Sequence, residues 1–97
     1  MSLSTHVLDA ATGRPATGVP VRLERADGTR LADGRTDADG RVTGWAPGAG
    51  VHRLVFDTAD HAFFPEVAVT FRITDPAAHH HVPLLLSPFA YTTYRGS

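Results

Sequence analysis

The 97-residue chain contains no cysteine and no lysine. Without cysteine it has no disulfide, no thiolate nucleophile and no sulfur-ligated metal. Without lysine, its basic complement is nine arginines, set singly between Arg14 and Arg95 against ten acidic residues, for a formal net charge of −1. No basic stripe results, so neither nucleic acid nor an anionic membrane is an expected partner. Long apolar runs are missing as well. Nothing approaches the roughly 18 residues of a membrane-spanning helix, and residues 1–9 lack the basic start and apolar stretch of a secretory signal. A cytoplasmic location is the resulting expectation. Also absent are a nucleophile elbow, a phosphate loop, a zinc-protease helix and a dinucleotide fingerprint, together with any repeat, low-complexity tract or linker.

What the sequence does contain is alternation. With 42% apolar and 20% charged residues it falls in the ordinary globular range, and its length predicts one domain, 1–97. A chain this small buries roughly 60–70% of its unfolded surface, so assembly would add stability. Residues 19–25 set Val19, Val21 and Leu23 against Pro20, Arg22 and Glu24. Residues 66–73 set Val67, Val69, Phe71 and Ile73 against Glu66, Ala68, Thr70 and Arg72. Both have the period of a strand. Further strands are predicted over 3–9, 30–36, 41–45, 51–57, 79–86 and 91–95, with breakers at 11–15, 27–28, 37–40, 47–50 and 75–76. A helical turn over 58–64 would be very short. About eight short strands without helical periodicity predict an all-β sandwich.

Six histidines stand out, three of them the run His79-His80-His81. On a strand His79 and His81 share a face and His80 opposes them. The pair could ligate a metal if His6 or His52 supplied a third nitrogen; equally, the run could sit solvated at a strand entrance. His6 shares its face with Ser4 and Leu8 and is either a hydrogen-bonded residue at the edge of the core or a catalytic imidazole. Arg41 follows the turn 37–40. It could be a solvated arginine paired with Asp37 or Asp39, worth about 0–1 kcal/mol, or a fixed fork for a planar anionic substrate. Residues 94–97, Tyr-Arg-Gly-Ser, combine an aromatic, a cation, a flexible joint and a hydroxyl where frayed ends are the rule. Glu66 and Asp57 could form a carboxylate pair, but nothing in the sequence brings them together.

Four stretches taken in order carry a resemblance: Leu3-Ser4-Thr5-His6-Val7-Leu8-Asp9; Thr36-Asp37-Ala38-Asp39-Gly40-Arg41; Phe63-Phe64-Pro65-Glu66-Val67; and His79-His80-His81-Val82-Pro83-Leu84-Leu85-Leu86-Ser87-Pro88, running on to Tyr91-Thr92-Thr93-Tyr94-Arg95-Gly96-Ser97. Together they resemble the 5-hydroxyisourate hydrolases, the enzymatic branch of the transthyretin-like family. The terminal tetrapeptide separates that branch from the thyroid-hormone carriers. The resemblance implies a sandwich of two four-stranded sheets, a homotetramer with active sites at the subunit interface, and hydrolysis of 5-hydroxyisourate to 2-oxo-4-hydroxy-4-carboxy-5-ureidoimidazoline in urate breakdown. It assigns catalysis to His6, Arg41, His81 and Ser97 and substrate binding to Tyr94, Arg95 and Gly96, with no metal and no cofactor. His6 and His81 would share water activation and protonation of the leaving nitrogen, in an order left open. Arg41 would offset the oxyanion. The chain departs from its relatives in a shorter segment between Phe56 and Phe63, a compact loop at 47–50, and His80 where tyrosine is frequent. A transthyretin-like carrier, a structural β-sandwich and a histidine-ligated metal hydrolase are the competing readings.

Overall fold

The computed structural model describes residues 2–97; Met1, within the expected 1–97 domain, lies outside the described residues. Nine strands make two sheets: β1 (Leu3–Asp9), β2 (Arg14–Pro15), β3 (Pro20–Arg25), β4 (Arg30–Arg35), β5 (Arg41–Trp45), β6 (Gly50–Asp57), β7 (Glu66–Ile73), β8 (His80–Leu86) and β9 (Tyr91–Thr93). One sheet runs β4-β3-β6-β7, every pair antiparallel. The other runs β2-β1-β8-β9, with β5 also paired to β1. β8 lies parallel to β1 along its whole length, from Leu3↔His80 to Asp9↔Leu86. β5 and β2 therefore share the other side of β1, β5 opposite Leu3 to His6 and β2 opposite Leu8 and Asp9. The sheet contains five strands yet is four positions wide, in line with the expected two four-stranded layers. β2 is the strand that alternation did not disclose, two residues inside a breaker-rich turn.

The alternation explains the packing. Leu3, Val7, Val21, Leu23, Leu54, Phe56, Val67, Val82, Leu84 and Leu86 point between the sheets and are buried. Each fully buried Val or Leu contributes about 1.5–3 kcal/mol relative to exposure. Thr5 is buried among them with its hydroxyl donating to Val82 O at 2.6 Å, which satisfies a polar group that would otherwise be costly to bury. The segment after β6 forms a turn: Thr58 donates through Oγ1 to Phe64 O, its N–H to Pro65 O at 3.0 Å, and His61 N to Thr58 O at 2.9 Å. Among the described residues there is no helix, and none long and apolar enough to cross a membrane.

Candidate active site

The outer face of the β1 sheet gathers the histidines. Because Leu3, Thr5 and Val7 face the core, Ser4, His6 and Leu8 face outward. The parallel register places Ser4 beside His81, and the Ser4 hydroxyl contacts His81 Nδ1 at 2.7 Å and His79 Nε2 at 3.2 Å. The His79 and His81 rings stack at 6.4 Å with 15° between planes. His80 is turned inward and buried, its Nδ1 3.1 Å from Ala78 O. The alternation predicted for this run holds.

β5 brings in the cation. Its antiparallel register sets Arg41 directly opposite His6. The preceding turn is built to hold it there. Asp37 Oδ1 accepts from Asp39 N at 2.9 Å and Arg41 N at 3.0 Å, and Asp37 N donates to Arg41 O at 2.9 Å. The Arg41 backbone N–H holds the Asp37 carboxyl below its ordinary value, helped by the Asp39 N–H and by the charges of Arg41 and His6, against a contrary push from burial. The Asp37 carboxylate thus holds backbone. Among the described residues no carboxylate makes an ion pair with the Arg41 guanidinium, which leaves its donors free for another anion. Burial, then the nearby charges of Arg41, His6 and His79, push the His81 imidazole below its ordinary value of 6.5. It is therefore neutral near pH 7 and able to accept a proton.

The C-terminal tail closes on the same place. After β9 the chain runs back along β8, and Gly96 N donates to His81 O at 2.8 Å in an isolated antiparallel bridge. A Cβ on Gly96 would fall 2.6 Å from His81 Cδ2, so only glycine lets the tail lie this close. Ser97 follows, exposed. Tyr94 and Arg95 border a different opening of about 280 Å³ with Val69, Phe71, His80 and Val82, between the edges of the two sheets. Of the seven residues expected at the site, His6, Arg41, His81 and Gly96 come together, Ser97 is one residue from them, and Tyr94 and Arg95 line the neighbouring gap. Sequence reasoning gave Ser4 no role; its i, i+2 spacing from His6 was the available signal, but only the β1–β8 pairing puts it against His81.

Other candidates lie elsewhere. His52 faces inward on the second sheet, with Nε2 2.7 Å from Gly48 O, away from the His79–His81 pair. Among the described residues no three His, Asp or Glu side chains gather as a metal-ligand set. Asp57 and Glu66 are cross-strand partners, but they belong to the outer face of the second sheet, where Glu66 meets Arg22 at 3.5 Å.

Comparison with known proteins adds to this geometry. Residues 3–96 match the model of a family described as HIUase/Transthyretin. A 5-hydroxyisourate hydrolase of Caulobacter vibrioides is 45% identical over 112 aligned residues, covering 98% of this chain and 97% of its own. The structure of Klebsiella pneumoniae 5-hydroxyisourate hydrolase superposes with a TM-score of 0.88 at 39% identity, over the full length of both chains. Transthyretin from Sparus aurata superposes with a TM-score of 0.85 at 35% identity, over 97% of this chain and 95% of its own.

Proposed function

The chain belongs to the HIUase/transthyretin family, and on that footing we propose that it is a 5-hydroxyisourate hydrolase acting in urate breakdown, with its chemistry on the outer face of β1, β5 and β8. The observation that carries this reading is the convergence of His6, Arg41 and His81 from three strands on one face, with Gly96 bridged to His81. A carrier for an apolar ligand needs a mainly apolar lining; this face presents imidazoles and an unpaired guanidinium.

Hydrolysis requires a water proton to be removed as oxygen attacks the ring carbonyl. His81, held neutral, is the base. His6 is then the imidazole placed to give the leaving nitrogen its proton. Arg41, held at its backbone by the Asp37 turn, offers its guanidinium to the negative charge that develops. The Ser97 hydroxyl hydrogen-bonds water or substrate, and Tyr94 and Arg95 contribute to binding. The pathway asks for no metal or organic cofactor.

The same reading makes the active form a cytoplasmic homotetramer of single-domain chains, with each site shared across an interface. None of three cavities of about 340, 280 and 440 Å³ in the single chain includes His6, Arg41 or His81. In the single chain His6 and His81 are half-buried and Arg41 is exposed, and on this reading a second copy excludes water from the face. Exposed aromatics supply a surface for that copy: Phe63 and Phe89 are 69% and 79% exposed and stand 6.3 Å apart. Absorbance decay of freshly generated 5-hydroxyisourate, with and without the protein, tests the proposal. Decay accelerated by the protein supports it; decay at the uncatalysed rate favours the carrier and overturns it.

A further inference from the structure

We propose that Ser4 and His79 form a proton relay behind His81, with His79, outside the seven residues assigned above, taking up the proton that His81 removes from water. This rests on the hydrolase reading. Three contacts in series carry it: His81 Nδ1 to Ser4 Oγ at 2.7 Å, Ser4 Oγ to His79 Nε2 at 3.2 Å, and His79 Nδ1 to Ser2 Oγ at 2.6 Å. A hydroxyl has one proton to give, so Ser4 donates to one ring and accepts from the other. The tautomers of the two imidazoles are thereby coupled. When His81 Nδ1–H donates to Ser4 and Ser4 O–H donates to His79 Nε2, His81 is left with a bare Nε2 on the side away from Ser4, the atom a base needs.

The step balances. As attacking water gives a proton to His81 Nε2, the His81 Nδ1 proton passes to Ser4 Oγ, and the Ser4 hydroxyl proton passes to His79 Nε2. His79 retains its Nδ1 proton toward Ser2 and becomes the imidazolium; His81 ends neutral, with its one proton on Nε2. The charged and titratable groups around His81 explain why the charge should move on. His6 from β1 and Arg41 from β5 both face it, with Asp37 of the turn occupied by backbone. A positive charge left on His81 would be partly buried beside a guanidinium. On exposed His79 it meets water. His79 thus acts through His81, as a positioning and relay residue.

The test compares kcat, KM and thermal midpoint for the wild type, Ser4→Ala, His79→Gln and the double variant, with ring ¹⁵N shifts reporting the His81 tautomer. Expected is a loss of about 10- to 100-fold in kcat for each single variant with KM within about twofold. The double variant should be no slower than the slower single, and the His81 tautomer should be mixed in both. Imidazole added to His79→Gln, at an exposed position, should recover part of kcat. The relay is overturned by an unchanged kcat and tautomer in His79→Gln, by losses that multiply in the double variant, or by no recovery with imidazole. If Ser4→Ala does not fold, His79→Gln and its rescue decide alone. A wild type that fails to hydrolyse sinks the hydrolase reading itself; an active wild type with an indifferent His79→Gln sinks only the relay.

Discussion

Gly40 has φ +77, and a Cβ there would lie 2.5 Å from Val7 O. Its own carbonyl accepts from Val7 N at 2.7 Å, so the turn is pressed against β1 immediately before Arg41. Gly40→Ala should cost about 1–3 kcal/mol through conformation and crowding. It should also lower kcat/KM by displacing Arg41 from His6, as read by thermal melts and steady-state assay. His81→Asn keeps the size and removes the titrating group, and should reduce kcat by about 10²–10⁴ with the fold intact; near wild-type turnover would remove His81 from the mechanism. Acid sensitivity follows from the same residues. The folded-state pKa values of His81 and Asp37 both lie below their ordinary values, so the unfolded chain binds more protons at acid pH and stability rises with pH. Stability should fall first as pH drops below 6.5 toward the lower folded value of His81. A second fall comes below the ordinary carboxylate value of 3.8, down to the depressed value of Asp37. The acid limb of kcat/KM should likewise lie below 6.5; a limb at or above that value would argue against His81 as the base.

At the scale of elements, the strands most legible in the sequence are those whose two faces differ. β1, β5 and β7 have the bounds expected for them, and in β7, where alternation is cleanest, the inward set Val67, Val69, Phe71 and Ile73 is the more buried one throughout. β2 escaped because a two-residue pairing leaves no periodic trace and Pro15 reads as a breaker. Read from residue types and spacing alone the site was a set of separate candidates, and only the family resemblance grouped them. That His79 and His81 share a face follows from the strand period, but that they meet Ser4 depends on a parallel pairing between opposite ends of the chain, which no local pattern encodes. Nor could Tyr94 and Arg95 be separated from Gly96 by reading four consecutive letters; the tail runs on along β8 in the register of β9, which brings Gly96 to His81 while Tyr94 and Arg95 border the gap toward β7. Leu84 is fully buried on β8, and Leu84→Ala should cost about 2–5 kcal/mol. The denaturation midpoint measures that loss, and a change under 1 kcal/mol would mean that the cavity had collapsed.

The whole molecule has an outer sheet face held by ion pairs and an opposite face left open. Arg22 meets Glu24 at 2.6 Å and Arg53 meets the same carboxyl at 3.4 Å on the second sheet; Phe63, Phe64, Phe89 and Tyr91 form a ladder of exposed or half-buried rings where the segment after β6 meets the turn before β9. Phe89→Asp should shift the protein toward smaller species in analytical ultracentrifugation and lower activity in parallel. An unaltered assembly state would move the interface away from this ladder. A tag fused after Ser97 should depress turnover with the assembly preserved, and full activity would put the terminus outside the site.

β1 is translated well before the strand that flanks it in parallel, residues 80–86, which emerges after both other strands that pair with β1. Until then one side of β1 has no partner of its own, and its exposed amide edge is open to pairing with other nascent chains. Translation of residues 80–86 therefore seals the edge of the first strand and sets His81 beside Ser4 in one event.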